Sequence, residues 1–290
     1  MSLMPYEIRE LSKNEFPLPL LEIPQPPKKL FIAGEFPPPN SIFLSVVGSR
    51  KHTNYGADAC EKIIEGLAGY PTVIVSGLAL GIDSIAHKSA LRAGLLTMAV
   101  PGSGIDPRVI YPRTNYGLAE EIVKNGGCLL SEFEPTFRAT TWSFPARNRI
   151  MAGLSRAVLI IEAEERSGTL ITARLATEYN RDVYVVPNGI FSPGSRGSNR
   201  LLKQGAYPIT SAEDILELFG LKKDSEPTQE KLPFDLSPEE QKIFELLAEP
   251  MPRDDLIRAT EISASDGNTL LSVMEIKGII TEKGGNFRRI

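Results

Sequence analysis

Two cysteines and two histidines in 290 residues leave little with which to build a metal centre. Cys60 and Cys128 stand far apart in apolar surroundings, without ligand spacing to each other or to His52 and His87. They read as free buried thiols of a reducing cytoplasm, and neither a metal nor a cofactor is expected. No apolar run is long enough to span a bilayer and no secretory leader is visible, so a membrane partner is not indicated. An excess of positive charge is missing too: 32 Lys and Arg against 36 Asp and Glu leave a net charge of −4. That excludes a uniformly basic nucleic-acid binder, and any such function needs a local cationic cleft. Absent as well are G-x-G-x-x-G, G-x-x-x-x-G-K-[ST] and G-x-S-x-G, which removes the simplest dinucleotide, triphosphate and serine-hydrolase readings.

What is present is an alternation. Between Ile42 and Phe219, short runs rich in Val and Ile ("IFLSVVG", "TVIVSG", "LLTMAVPG", "GCLLSE", "AVLIIEA", "DVYVVPNG") are each followed by an amphipathic or Ala-rich stretch. Continuous apolar strands between helices indicate a mainly parallel sheet covered on both faces, a doubly wound, Rossmann-like α/β domain over 41–220. Ahead of it, residues 1–40 hold 9 of the 23 prolines and read as an extended arm with one short strand, Lys29–Ile32, wrapped on the domain. A polar, proline-bearing linker follows at 221–236. Residues 237–290 then give a Ser-capped helix with Glu three positions on, two further short helices, and a hairpin turning at Gly284-Gly285. That order suggests a small winged helix.

In an open parallel sheet, ligands sit beyond the carboxyl ends of the strands. Four turns there combine Gly with Ser or Thr just before an expected helix: 48–56, 76–83, 101–113 and 164–173. Turns of this kind expose backbone N–H groups at a positive helix end and suit a row of phosphates. Glycine at one such turn commonly serves chain geometry alone. Four together, with Arg50 and Lys51 beside the first, favour an anion-binding edge. The candidates are Gly48, Ser49, Arg50, Lys51, Gly102, Ser103, Gly104, Ser167, Gly168 and Thr169. Asp83 and His87 are four apart and share a helix face, yet no motif links a nucleophile to them. They read as a structural pair fixing the turn, and no catalytic constellation emerges.

The stretch "SFPARNRIMAGLS", 143–155, concentrates Phe144, Arg147, Asn148 and Arg149 at the start of a helix that leads into the strand "AVLIIEA". Arg147 and Arg149 are two residues apart, about 200° around a helix, so they serve different purposes. Phe144 is either a base-stacking ring at the cleft mouth or a staple onto its own helix. Arg147 is assigned here to phosphate contact, and Arg149 to an inward strut on Glu132 or Glu162.

These segments, with "VVGSRKHTNYG", "VIVSGLALGIDSIAHKSAL", "GIDPRVIYP", "LLSEFEP" and "GSNRLLKQGA", resemble the DNA-processing protein A (DprA/Smf) family over roughly residues 15–215. The resemblance implies a single-stranded-DNA-binding recombination mediator. Such a protein protects incoming DNA, helps load a RecA-type recombinase in natural transformation, is not an enzyme, and forms a homodimer. It implies that Arg50 and Phe144 are part of the DNA pocket. Many family members carry a basic residue shortly before that Phe; here 140–143 read Thr-Thr-Trp-Ser, which moves that contact to Arg138 or removes it. Residues 231–290 hold 8 Lys and Arg against 11 Asp and Glu, a balance of 8 − 11 = −3, so a protein-contact or regulatory role is expected for the winged helix. Two alternatives are a Rossmann-like nucleotide hydrolase, whose P-G-G-x-G-T-x-x-E stretch is replaced here by "PGSGIDPRV", and a nucleotide-sensing module.

Overall fold

The computed structural model describes residues 5–221, 236–260 and 262–289. The chain divides into two compact units, Met1–Lys222 and Lys223–Ile290. The linker expected at 221–236 falls almost wholly on 222–235, outside the described residues.

The first unit is built on a nine-stranded sheet. Its strands are β1 (Ile8–Glu10), β2 (Phe31–Gly34), β3 (Ile42–Val47), β4 (Thr72–Ser76), β5 (Thr97–Ala99), β6 (Cys128–Ser131), β7 (Ala157–Ile160), β8 (Asp182–Val185) and β9 (Tyr207–Pro208). They lie in the order β1-β2-β6-β5-β4-β3-β7-β8-β9. The seven from β6 to β9 run parallel, whereas β2 is antiparallel to β6 and β1 to β2. From β3 the chain winds outward through β4, β5 and β6, then returns to β7 on the other side of β3. The β3/β7 boundary is therefore the topological switch point, where the crevice of an open α/β sheet forms.

Successive side chains of a strand point to opposite faces. Accordingly Val73, Val75, Val158 and Ile160 enter one core, and Ile74, Ala157, Leu159 and Ile161 the other. Helices α2 (Asn54–Glu65) and α3 (Ile82–Arg92) cover the second face, with Cys60, Ile63 and Ile64 from α2 and Ile82, Ala86 and Ala90 from α3 buried there. Helices α5 (Ser143–Leu154) and α6 (Thr169–Glu178) cover the first with Ile150, Met151, Leu154, Ala173 and Ala176. Between these pairs lies α4 (Tyr116–Lys124), and α7 (Arg196–Lys203) and α8 (Ala212–Leu218) complete the set. Both cysteines are free and fully buried, and burial drives their thiols well above the ordinary range.

The proline-rich arm is more integrated than a wrapped segment. It supplies β1 and β2 as the antiparallel edge of the main sheet, and a four-residue helix, α1 (Leu18–Leu21). Leu20 and Ile23 pack where Gly153 of α5 leaves room; a Cβ there would come within 2.9 Å of Ile23. The strand expected at Lys29–Ile32 is Phe31–Gly34, two residues later. Prolines keep the intervening chain out of regular structure, and pairing with β6 fixes where the strand starts.

The second unit holds α9 (Pro238–Leu246), β10 (Met251–Pro252), α10 (Arg253–Thr260), α11 (Ala264–Ile276), β11 (Ile280–Lys283) and β12 (Asn286–Arg289), with strand order β10-β12-β11. Ser237 accepts from the Glu240 N–H and Glu240 reaches back to the Ser237 N–H, a capping box. Gly284 and Gly285 take φ of 64° and 82°, the mirror-image turn that a two-residue hairpin requires. The unit has its own core around Ile243, Leu256, Leu271, Met274 and Phe287. It is a winged helix.

Candidate functional site

A cleft of about 470 Å³ opens at the β3/β7 switch point. Its walls come from the turn after β3 (Gly48, Ser49, Arg50, Lys51), the turn after β7 (Glu164, Arg166, Ser167, Gly168, Thr169) and the start of α5 (Phe144, Pro145, Arg147, Asn148). Ten of the fourteen candidate residues named from sequence line it, and the fold places them and the others as follows.

The first turn is held from below. Gly81, at φ 78°, lies so close that a Cβ would sit 2.4 Å from the Ser49 carbonyl oxygen and 2.7 Å from the Arg50 Cα. Only glycine tolerates that conformation and approach. The Ser49 carbonyl accepts from the Ile82 N–H at 3.2 Å, and the Ser49 hydroxyl accepts from the Lys51 N–H at 3.1 Å. Gly48 packs against Ile82 and its carbonyl accepts from the Thr169 hydroxyl at 3.2 Å, which ties the β3 turn to the β7 turn. Ser167 similarly accepts from the Thr169 N–H at 3.2 Å, while Gly168 remains exposed. The two serines thus stiffen their own turns. Helix α6 starts here without a side-chain cap from Gly168, and its next N–H groups are taken up within the turn, Leu170 by the Ser167 carbonyl and Ile171 by the Gly168 carbonyl, each at 3.1 Å. Helix α2 differs: Thr53 caps it, and buried Glu162 accepts from the Thr53 N–H at 2.9 Å. Glu162 is committed to Thr53 and Asn188.

The exposed Arg50 guanidinium lies over the half-buried Phe144 ring, 5.2 Å from its centroid, a cation–π contact. On its other side Phe144 meets Tyr111, half exposed, with ring centroids 5.8 Å apart. Beneath lies Gly102, where a Cβ would be 2.5 Å from the ring. Phe144 is therefore oriented by neighbours outside its own helix. With Lys51 and Arg166 exposed on the same rim, the mouth presents a ring and three cations.

Arg147 corrects the expectation. It lines the cleft but is only 5 % exposed, and its guanidinium donates to the carbonyls of Gly77, at 2.6 Å, and Val100 and to the Asn148 side chain at 3.1 Å. Burial lowers its pKa to about 10, against the pull of Asp83. Gly77 stands between the two charges: its carbonyl takes the arginine's N–H and its own N–H donates to Asp83 at 3.1 Å. Burial raises the Asp83 carboxyl while Arg147 and the Gly77 and Ala79 N–H groups hold it down. The pair anchors the second turn from within, and the phosphate role assigned to Arg147 from sequence is withdrawn. Asn148 is spent alike, on Arg147 and, at 3.5 Å, the Gly168 carbonyl. Arg149 points the other way. It pairs with Glu132 and donates to the Gln25 carbonyl at 2.8 Å, the inward strut expected of it.

The third turn is corrected as well. Ser103 is fully buried, the Gly104 N–H donates to the Phe137 carbonyl at 2.9 Å, and a Cβ on Gly104 would strike the Pro135 oxygen at 2.2 Å. Gly102, Ser103 and Gly104 are close-packing positions outside the cleft lining, because the loop 132–142 folds onto them. Arg138 is exposed on that loop and is not a cleft residue. Asp83 and His87 do not act as a pair: His87 Nδ1 shares a hydrogen bond of 2.7 Å with the Thr97 hydroxyl. Sequence reasoning missed Arg166 and Tyr111. The first sits in the quoted turn "EERSGT" beside three chosen residues; the second lies in "VIYP", where nothing local marks it as a partner of Phe144.

A doubly wound α/β unit with a cationic, aromatic-edged cleft at its switch point, followed by a winged helix, defines a class of two-unit α/β protein whose cleft suits an anionic ligand. The family model described as DNA recombination-mediator protein A matches residues 7–220, and that of the DprA winged helix domain matches 226–286. Protein Smf of Escherichia coli is 44% identical over 208 residues, 71% of this chain and 55% of that protein. DNA processing protein DprA of Streptococcus pneumoniae is 43% identical over 204 residues, 70% of this chain and 71% of that one. The solved Streptococcus pneumoniae structure superposes with a TM-score of 0.68 over 73% of this chain and 74% of that one, at 41% identity. DNA processing protein A of Helicobacter pylori, described for its single-stranded DNA binding mode, superposes with a TM-score of 0.66 over 75% of this chain and 98% of that one, at 32% identity. The chain belongs to the DNA recombination-mediator protein A family.

Proposed function

We propose that this protein is a recombination mediator that binds single-stranded DNA in the switch-point cleft, protects it, and helps load a RecA-type recombinase during natural transformation. The observation that carries the reading is Arg50 lying over the Phe144 ring at the mouth of the cleft, beside Lys51 and Arg166. A cationic groove combined with an exposed aromatic ring is the general means of holding a single strand. Bases stack on the ring irrespective of sequence, and the cations take phosphates. The single-stranded DNA binding of the Helicobacter pylori protein supports the choice of ligand. The protein works by binding rather than catalysis, in the cytoplasm, as a homodimer, and the winged unit serves as a protein contact. No described helix is long and apolar enough to cross a membrane, and the described residues hold no cluster of three or more metal-capable side chains.

A gel shift with single- and double-stranded oligonucleotides at two salt concentrations tests the reading. Single strands are expected to bind more tightly, and each neutralised phosphate to add about 0.7 to the slope of log affinity against log salt. Equal affinity for both forms, or no salt dependence, would overturn it.

A further inference from the structure

The loop that closes the third turn carries an aromatic cluster of its own. Phe133 and Phe137 stack with centroids 4.6 Å apart and planes 24° from parallel. Trp142 stands against both, 5.6 Å from each centroid, with interplanar angles of 83° and 60°. The phenylalanines are half-buried, but Trp142, the chain's only tryptophan, is 58 % exposed. Burying such a ring would normally stabilise the fold, so leaving it out on a built pedestal fits a surface that meets a ligand. Arg138 is exposed on the same loop.

The cluster lies across the start of α5 from the cleft. Trp142 is the residue just before α5, and Phe144 lies two further on, roughly 200° around the helix. The Ser143 hydroxyl, between them, donates to the carbonyls of Gly102 at 2.6 Å and Thr140 at 2.8 Å, which fixes the turn from both sides. The Gly104 N–H, bonded to the Phe137 carbonyl, fastens the pedestal to the floor beneath Phe144. Two rings thus flank the start of one helix, Phe144 half-buried and Trp142 exposed.

We infer that Trp142, on its Phe133–Phe137 pedestal, is a second base-stacking platform, which receives nucleotides of the same single strand after they leave Phe144. The inference rests on the single-strand reading of the cleft and extends its path across the start of α5. Arg138, exposed on the same loop, is the cation for the adjoining phosphate. A strand held at both rings cannot slide freely, and oligonucleotides too short to reach Trp142 bind less tightly than longer ones.

Because Trp142 is the sole tryptophan, the wild-type chain reports on its own contact. Fluorescein-labelled oligo-dT of about 20 nucleotides gives binding by anisotropy, and unlabelled oligo-dT of the same length is titrated while tryptophan emission is read. The expected result is emission that falls with added DNA and saturates where anisotropy does. Trp142→Ala is expected to weaken binding about five- to 150-fold, and Trp142→Phe to retain most of it. Anisotropy that reports binding while emission stays unchanged and Trp142→Ala binds like wild type overturns the inference, leaving the cluster as a face for a protein. Absence of any binding by anisotropy overturns the reading of the cleft itself.

Discussion

The switch-point cleft and helix α11 of the winged unit are both places where proteins commonly receive nucleic acid, and they are made of opposite materials. The cleft sets Arg50, Lys51 and Arg166 around an aromatic ring. Helix α11 contains Asp266 and Glu275 with no Lys or Arg inside its bounds, and it leaves Ile276 87 % exposed. The winged unit's cations are also occupied: Arg253 pairs with Glu282, Arg258 with Asp255, and Lys277 with Glu240 at 2.6 Å. Net charge averages these two surfaces and describes neither. Affinity for phosphate depends on cations free to exchange their counterions, so it is expected to concentrate in one unit of an acidic chain.

The comparison breaks most visibly at the anchor beneath the cleft. Arg147→Ala leaves two carbonyls and the buried Asp83 carboxylate without their cation, and is expected to cost about 3–5 kcal/mol of stability by urea unfolding. A loss under about 1 kcal/mol would show that the turn stands without it. Arg149→Ala, which strands half-buried Glu132, is expected to cost about 1–3 kcal/mol in the same measurement. Its effect on DNA affinity should be slight, since Arg149 lies outside the cleft lining.

On the binding side, Arg50→Ala and Phe144→Ala should each reduce oligo-dT affinity by about 1–3 kcal/mol, roughly five- to 150-fold. Arg50→Ala should also lower the salt slope by about 0.7, while Phe144→Ala leaves it unchanged. Unaltered affinity in both variants would remove the cleft from consideration.

A subtler effect belongs to His87. It is fully buried, and burial pushes its pKa down to about 3, well below the ordinary value near 6.5. The folded chain therefore keeps it neutral where the unfolded chain protonates it. Its contribution to stability is complete above about pH 6.5 and declines as pH falls towards 3, by up to about 1.4 kcal/mol per pH unit. In His87→Gln the fall between about pH 6.5 and 5 should be shallower; equal slopes would mean that His87 protonates within the fold. The smallest effect sharpens the comparison: removing residues 225–290 should change single-strand affinity less than about threefold, because that unit offers phosphates few free cations.

Much of this was legible in the chain. The six apolar runs are β3 to β8, since a strand buried on both faces cannot hide its composition. The Ser237 cap and the Gly284-Gly285 turn are local chemistry and appear where expected. Strands β1 and β9 were not seen, because edge strands are short and carry no continuous apolar run. The cleft was half legible. Arg50, Lys51 and the glycines of two turns lie in it, whereas the third turn, which likewise pairs Gly with Ser, is filled by the loop from Pro135 to Phe137.

Helical spacing alone required that Arg147 and Arg149 serve different ends, because 200° of rotation is set by the backbone. Which one turned inward to which partner was decided by packing. Arg149 found Glu132, and Arg147 ran under the second turn because Gly77 has no side chain to block it: a Cβ there would lie 2.0 Å from the guanidinium. Periodicity, capping and turn chemistry act within a few residues and are written locally. The Arg50–Phe144 stack, the Phe144–Tyr111 contact and the closing of the third turn join residues 30 to 95 positions apart, and they exist only once the sheet has brought its strand ends together.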